Sequence, residues 1–392
     1  MVENKDKKVL NVPNLRFKEF EGEWEKCKLG DITQNFTRRN KEKIQYPMFS
    51  VTNERGFVPQ SEQFEGRDMV GDDIKAYKII QSQEFAYNPA RINVGSIAMY
   101  SGKAPCMISS LYVCFKTTQK VDDEWLMQLL KTAKLNYCYN VNGEGGVRVY
   151  LFYPNFARIR VSLPSLTEQK KIACFLNLLD ERISTQNKII EDLKKLKSAI
   201  IEIEYSSKTK TSSHIGDFIV QTSKRNKDNA IQTVLSVSNR QGFIQQSEQF
   251  ENRCVASDDT SNYKIVERND FAFNPARINV GSIARLITFE KGIVSPMYIC
   301  FRTKDYATPE YLDYFFESKL FFTEIQKRLE GSVRQCLSYE SLCNIPFPLL
   351  AIEVQQRIGK QLFTLAQKIK LETDFLEILH KQKQHLLRQM FI

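Results

Sequence analysis

The chain contains the stretch Phe85-Ala-Tyr-Asn-Pro-Ala-Arg-Ile-Asn-Val-Gly-Ser-Ile-Ala98 and repeats it as Phe271–Ala284, with one tyrosine changed to phenylalanine. A second stretch, Ser50–Arg67, recurs as Ser236–Arg253 with twelve of its 18 positions identical. Both pairs are offset by 186 residues, and other landmarks keep this offset without gaps. Matches of this length at one constant offset do not arise by chance, so the chain of 392 residues consists of two copies of one unit.

A long amphipathic helix is predicted at the end of each repeat. Ser165 and Glu168 form the pattern of a capping box, with Ser at the N-cap and Glu at N3. The second helix lacks this pair of residues, so only the residue at which it begins is left undetermined. A heptad seam follows in both helices, at Ile172, Leu176, Leu179, Ile183, Ile190 and Leu193 and at Ile358, Leu362, Leu365, Ile369, Leu376 and Leu379. We therefore predict that helices Ser165–Ser206 and Ile352–Met390 pack together antiparallel, the alternative being that each packs only on its own domain.

The parts before the helices mix strand-like and helix-like runs, which predicts an α+β fold. Helix-like runs are expected at 122–136 and 309–329. The predicted domains are a first globular domain (1–162), a first helical region (163–206), a second globular domain (207–347) and a second helical region (348–392). The expected architecture is a tandem duplicated unit with pseudo-two-fold symmetry, in which a long antiparallel two-helix coiled coil separates two mixed α/β domains.

Composition points to a binding protein of the cytoplasm. The net charge of +10 makes an acidic polymer a natural partner. No apolar run approaches the roughly 20 residues needed to span a bilayer, and no secretory signal is recognised at the N-terminus. The nine cysteines form no CxxC pair, and with three histidines they predict buried free thiols rather than a metal site.

Catalytic motifs are missing. No GxxxxGK[ST] loop for nucleotide phosphates is present, and no GxGxxG follows a strand. The tetrapeptide Asn88-Pro-Ala-Arg91 has some likeness to the Asn-Pro-Pro-aromatic motif of amino-methyltransferases, but it lacks the second proline and the aromatic residue that would clamp a flipped base. We expect no catalytic residue, no metal and no cofactor in this chain.

Hydrogen-bonding side chains are concentrated beside Pro and Gly in the repeated segment. Arginine can form two hydrogen bonds with guanine, asparagine can form two with adenine, and backbone N–H groups can donate hydrogen bonds to phosphate. The candidate DNA-binding residues are Asn88, Arg91, Asn93, Ser96 and Arg148 in the first repeat and Asn274, Arg277, Asn279, Ser282 and Arg334 in the second. The alternative is a buried turn whose polar side chains satisfy carbonyl groups.

Several segments together resemble the specificity (S) subunits of Type I restriction–modification systems. They are the opening Asn14–Trp24 with Lys28-Leu-Gly-Asp31, the Asn-Pro-Ala-Arg and Gly-Ser-Ile segments, the Gly-Gly-Val-Arg loop, and Leu163–Gln169 at the start of a long helix. The resemblance covers nearly the whole chain. It implies two target-recognition domains, each reading one half of a bipartite site on double-stranded DNA.

The resemblance also implies partners. The helices would bind two modification (methyltransferase) subunits that carry S-adenosylmethionine, and restriction subunits (ATP-dependent translocase and nuclease) with ATP and Mg²⁺ would join the full complex. Two other classes stay open: a stand-alone DNA methyltransferase and a coiled-coil adaptor that binds only protein.

Near-identity of the repeats predicts an interrupted palindrome as the target, because equivalent side chains would read the same bases on opposite strands. The copies diverge at residues 99–142. If that stretch holds the base readers, the half-sites differ and the near-identity elsewhere is scaffold.

Overall fold

The computed structural model describes residues 10–63, 74–145, 149–205, 213–239, 241–246, 259–331 and 335–392. The chain divides into two compact units. The first unit is Met1–Gln186 with Phe375–Ile392, and the second is Asn187–Asp374. These units do not follow the boundaries predicted after residues 162, 206 and 347, because each long helix gives one half to each unit.

The first unit contains a series of short strands and helices that leads into a long helix. Its elements are β1 (Glu25–Lys28), α1 (Leu29–Ile32), β2 (Thr33–Phe36), β3 (Phe49–Thr52), β4 (Gly56–Pro59), α2 (Gln60–Gln63), β5 (Lys78–Ile80), β6 (Phe85–Tyr87), β7 (Ile97–Met99), β8 (Cys106–Ile108), β9 (Val113–Thr117), α3 (Asp123–Leu130), α4 (Ala133–Asn142), α5 (Tyr153–Arg158), β10 (Arg160–Leu163) and the start of α6 (Leu166–Glu204). Single 3-10 turns occur at Ile74–Ala76 and Ile92–Val94.

The second unit repeats this series. Its elements are the end of α6, then α7 (Ile215–Phe218), β11 (Ile219–Thr222), β12 (Val234–Ser238), β13 (Gly242–Gln245), β14 (Lys264–Glu267), β15 (Phe271–Phe273), β16 (Ile283–Arg285), β17 (Lys291–Val294), β18 (Ile299–Thr303), α8 (Pro309–Phe315), α9 (Lys319–Arg328), α10 (Tyr339–Cys343) and the start of α11 (Ile352–Met390). A 3-10 turn at Ile278–Val280 matches the one at Ile92–Val94.

A four-stranded antiparallel sheet forms the centre of each unit, in the order β2-β9-β6-β7 in the first and β11-β18-β15-β16 in the second. The registers match, with Phe85 opposite Phe115 and Phe271 opposite Phe301. Both phenylalanine pairs stack, with ring centroids 4.9 Å and 5.1 Å apart. Smaller strands complete each unit: β3 pairs with β4 and β5 with β8 in the first, and β13-β12-β17-β14 form one sheet in the second. The mixed fold predicted from the sequence is confirmed.

Each predicted helical run between sheet and long helix is in fact two helices. The expected helix at 122–136 is α3 and α4, because the Thr132 hydroxyl accepts a hydrogen bond from the Leu135 N–H and starts a new helix. The same break separates α8 from α9, where Ser318 accepts from the Phe321 N–H. A capping residue inside an apolar pattern therefore explains why the single-helix prediction was wrong.

The two long helices contact each other within each unit, and in the first unit their segments run antiparallel. In the first unit, Asp180 of α6 pairs with Lys383 of α11 at 2.5 Å, and the Arg182 guanidinium lies over the Phe375 ring. In the second unit, Ile201 of α6 shares a hydrophobic cluster with Ile358 and Leu362 of α11. At heptad spacing the seam continues into lysines, Lys197 in α6 and Lys383 in α11, and both form ion pairs: Lys383 with Asp180, as above, and Lys197 with Glu317 at 2.6 Å.

All twelve predicted seam residues are buried or half-buried. Ile172, Leu176, Ile183 and Ile190 are buried in α6, and Ile358, Leu362 and Leu379 are buried in α11. Leu179, Leu193, Leu365, Ile369 and Leu376 are half-buried. These residues therefore lie on the inner face of each helix, because residues on a face directed to solvent would be exposed.

The start of α6 differs from a complete capping box. The Ser165 hydroxyl accepts from the Glu168 N–H at 3.3 Å, as predicted. The Glu168 carboxylate, which is 1% exposed, does not return to Ser165. It instead receives two hydrogen bonds of 2.8 Å from the Arg16 guanidinium and one from the Trp24 indole N–H. A buried carboxylate requires such partners, and this one ties the segment around Arg16 to α6.

A buried glutamine fixes the start of each long helix. The Gln169 amide accepts from the Asp122 N–H at 2.7 Å and donates to the carbonyls of Lys120 and Pro164. Gln355 makes the same three contacts in the second unit, to Thr308, Tyr306 and Leu350.

The second unit contains an ion cluster that the first unit lacks. The buried Arg285 guanidinium contacts Asp313 at 3.1 Å and also pairs with Glu310. The residues 186 positions earlier are Met99 for Arg285 and Met127 for Asp313. Both methionines are partly buried against the hydrophobic core of the first unit. One copy thus fills this place with charges and the other with apolar side chains.

Across the part of the chain described, no helix combines the length and the apolar character needed to cross a membrane.

Candidate nucleic-acid interface

A tight loop between β6 and β7 carries the candidate residues of the first unit. The Asn88 N–H donates to the Ser96 carbonyl at 3.0 Å, and the Ser96 N–H donates to the Arg91 carbonyl at 3.1 Å. Gly95 closes the loop with φ of 96°, in the left-handed region where a side chain is strained. The loop is therefore a fixed platform rather than a random connection.

The second unit builds the same loop from the same contacts. The Asn274 N–H donates to the Ser282 carbonyl at 3.0 Å, the Ser282 N–H donates to the Arg277 carbonyl at 3.1 Å, and Gly281 has φ of 88°.

The two loops present Arg91 and Arg277 to solvent, and both side chains are exposed. Neither guanidinium has an acidic partner among the described ion pairs. Each backbone is held at both ends of the loop, so the arginines project from equivalent rigid positions. An exposed guanidinium can form paired hydrogen bonds with a phosphate or with the edge of a guanine.

The asparagine and serine side chains at the ends of the loops form hydrogen bonds within the protein. The Asn88 and Asn274 side chains accept from the Ala90 and Ala276 N–H groups at 3.0 Å and 3.1 Å. The buried Ser96 and Ser282 hydroxyls donate to carbonyls of Val51 and Val237. These four side chains hold the loops from inside, as the buried-turn alternative expected, and their burial does not support the prediction that Ser96 and Ser282 contact DNA.

Asn93 and Asn279 are half-buried on the 3-10 turns of the loops. The Asn93 amide donates to the Asn140 side chain on α4 at 3.0 Å. Arg148 and Arg334 lie outside the described residues.

No residue of a second surface, which lies beside the first loop, was among the sequence candidates, although the stretch 99–142 was marked as a possible place for the base readers. α4 exposes Tyr137 and Val141, which are 70% and 62% exposed, and Tyr150 stacks on Phe152 with ring centroids 6.2 Å apart. The Leu151 N–H, between these rings, donates to the Pro89 carbonyl in the loop. Tyr137 and Val141 lie within the divergent stretch 99–142, whereas Tyr150 and Phe152 lie outside it.

The described cysteines are free, and several are buried. Burial raises the pKa of the Cys106, Cys114 and Cys300 thiols to about 12, so these groups are protonated at neutral pH. They act as small apolar side chains in the cores.

Comparisons with known proteins give a consistent result. Residues 21–195 match the family model of the Type I restriction modification DNA specificity domain. The MjaX type I restriction enzyme specificity subunit of Methanocaldococcus jannaschii is 24% identical, over 97% of this chain and 93% of its own length.

Two solved structures share the fold. The S subunit of a Type I restriction–modification system from M. genitalium has a TM-score of 0.61 at 13% identity, covering 97% of this chain and 99% of that chain. A structure describing complex assembly and conformational transition of the type I R-M system has a TM-score of 0.54 at 14% identity, covering 93% and 96%. With its matching domain and its duplicated fold, the chain is similar over nearly its whole length to the specificity (S) subunits of Type I restriction–modification systems.

Proposed function

We propose that this chain reads double-stranded DNA, with each unit binding one half of a bipartite site, and that it catalyses no reaction itself. The observation that carries the proposal is the pair of identical rigid loops that expose Arg91 and Arg277. The net charge of +10 favours a polyanionic partner. The similarity to Type I DNA specificity domains makes DNA the expected polyanion.

We further propose that the long helices dock two modification subunits, which would supply S-adenosylmethionine, and that restriction subunits with ATP and Mg²⁺ join the assembly. Both helices expose apolar side chains that a protein surface could cover. Leu178 and Leu196 of α6 are 59% and 50% exposed, and Leu371 and Ile378 of α11 are 65% and 59% exposed. Exposed apolar side chains repeated along a helix favour a protein partner.

The test measures DNA binding by the complex of this chain with its modification partner. Fluorescence anisotropy with duplex DNA carrying the site should show that Arg91→Ala or Arg277→Ala weakens binding by about 1–3 kcal/mol, the value of one lost base contact. Arg160→Ala, at an exposed arginine on β10, is the matched control. Unchanged affinity in both loop variants, with folding intact by circular dichroism, would refute the role of the loops.

Two measurements separate the rival functions. Transfer of label from S-adenosylmethionine by this chain without partners would establish a stand-alone methyltransferase. Absence of any salt-sensitive DNA binding by the complex would leave the protein-only adaptor, because phosphate contacts make affinity depend on salt.

A further inference from the structure

The helices α4 and α9 occupy the same place in the two units but expose different chemistry. Their bounds, Ala133–Asn142 and Lys319–Arg328, differ by the offset of the repeat. Both helices bury apolar residues at two equivalent positions, Leu135 and Tyr139 in α4 and Phe321 and Ile325 in α9, and α9 also buries Glu324. The fold therefore requires apolar residues at these positions in both copies.

The exposed positions follow no such requirement. The pairs are Tyr137 with Thr323, Asn140 with Gln326, and Val141 with Lys327, and all six residues are exposed. We call Tyr137, Asn140 and Val141 the α4 face, and Thr323, Gln326 and Lys327 the α9 face. Lys327 also pairs with the buried Glu324 at 2.6 Å, but neither face contributes apolar area to a core, so core packing does not explain why the α4 face carries tyrosine and valine where the α9 face carries threonine and lysine. The difference points to what each face binds.

Each face belongs to an element that adjoins the exposed arginine loop. In the first unit, Asn140 accepts from the Asn93 side chain of the loop at 3.0 Å. In the second unit, α9 lies against the 3-10 turn Ile278–Val280 of its loop, and the Leu337 N–H beyond α9 donates to the Pro275 carbonyl at 3.0 Å. We therefore expect a duplex bound by Arg91 or Arg277 to lie close to the adjacent face.

Building on the proposed function, we propose that the α4 and α9 faces determine which bases each unit reads, so that the two half-sites differ. The occupant is the major-groove edge of DNA. Val141 and the Tyr137 ring suit the methyl group of thymine, whereas Gln326 suits adenine and Lys327 suits guanine. The identical arginine loops would supply the contacts that both half-sites share. The repeat left two kinds of target open, a palindrome and a site with two different halves. The difference between the α4 and α9 faces favours the site with two different halves.

The experiment exchanges the faces within the full chain and maps methylated bases. The first variant, Tyr137→Thr with Asn140→Gln and Val141→Lys, places the α9 face on α4. The second, Thr323→Tyr with Gln326→Asn and Lys327→Val, does the reverse. A control exchanges Gln34→Val with Val220→Gln, two exposed positions of β2 and β11 that also differ between the copies. Each chain is assembled with its modification partner and S-adenosylmethionine.

We expect the wild-type motif to have two unlike halves. The first variant should change at least one base of one half towards the other half, and the second variant should change the opposite half. Binding to the wild-type duplex should weaken about tenfold in each variant, as for a lost base contact, and stay unchanged in the control.

Three results would overturn the inference. One is a wild-type motif that is a perfect inverted repeat, and another is an unchanged motif in both exchanged chains. The third is failure of the exchanged chains to assemble while they remain folded, since that would make the faces a surface for the protein partner. No methylation at all by the wild-type complex would instead overturn the proposed function and the inference with it.

Discussion

Phe391, near the end of α11, packs its ring against Trp125 of α3 with centroids 5.8 Å apart. The second unit has the same contact, where Tyr205 at the end of α6 lies 4.8 Å from Tyr311 of α8. The helix end that completes each core thus belongs to the other repeat, because Phe391 follows the second repeat and Tyr205 the first.

Phe391→Ala should therefore destabilise the first unit. Removing a buried phenylalanine from a core costs about 3 kcal/mol through lost burial and the cavity left behind. Urea unfolding followed by tryptophan fluorescence measures this directly, because both tryptophans of the chain, Trp24 and Trp125, lie in the first core. Phe152→Ala, at a ring 49% exposed, is the control and should change stability by less than about 0.5 kcal/mol. Equal effects of the two substitutions would contradict the role of Phe391.

The ion cluster of the second unit should be replaceable by the methionines of the first. Arg285→Met alone leaves the Asp313 carboxylate without its guanidinium and should destabilise by about 3–5 kcal/mol. Arg285→Met with Asp313→Met copies Met99 and Met127 and should recover most of that loss, because apolar residues of similar volume often replace buried ion pairs without cost. Denaturant unfolding followed by far-UV circular dichroism checks this. A double variant as unstable as the single one would show that the cluster does more than fill space.

Asp313 should also give the second unit a pH-dependent stability. Burial raises the pKa of this carboxyl to about 6, and Arg285 opposes the shift. Since the unfolded carboxyl titrates near its ordinary value of 3.8, the folded unit holds the extra proton between these values. This contribution to stability is therefore largest at low pH and falls as pH rises towards 6.

Asp313→Asn removes the titration. The stability of this variant relative to wild type should increase from pH 4 to pH 6 and stay constant above about pH 7, as measured by urea midpoints across that range. A parallel course of the two curves over the whole range would contradict the assignment.

A charge in the seam of the long helices should disrupt the fold, whereas the same charge outside it should not. Leu179→Asp with Leu365→Asp places carboxylates at half-buried seam positions, which costs several kcal/mol. Leu178→Asp with Leu371→Asp introduces the same charges at exposed leucines of the same helices and should leave the fold intact. Thermal unfolding separates the two pairs, and similar melting of both would mean that the seam is misassigned.

The exposed pair has a second readout. If the proposed docking surface is correct, Leu178→Asp with Leu371→Asp should prevent assembly with the modification subunits, as seen by size-exclusion chromatography. Normal assembly would place the docking surface elsewhere.

Features that repeat in the sequence were predicted best. The duplication, the mixed fold and the long helices follow from the offset of 186 residues and from the heptad pattern, and the structure contains them. Ser165 was recognised as a cap, because capping depends on a few adjacent residues.

Contacts between distant residues could not be predicted in this way. The pattern assigned Glu168 to Ser165, but Arg16, 152 positions away, takes its carboxylate. The buried glutamines Gln169 and Gln355 were visible as a repeated residue, yet their partners depend on the path of the chain. At the candidate site, the arginines were identified by residue type, whereas the α4 face required the contact between Asn93 and Asn140 to place it.

The division of the long helices has a consequence for biosynthesis. The second unit, Asn187–Asp374, is one continuous stretch, whereas the first unit needs Phe375–Ile392, which are synthesised after the second unit. On the ribosome, the second unit can close as soon as its stretch has emerged, while the first exposes part of its core until α11 is finished. The half of the protein that is translated first is therefore the half that matures last, and it is the one in greater need of protection from aggregation during synthesis.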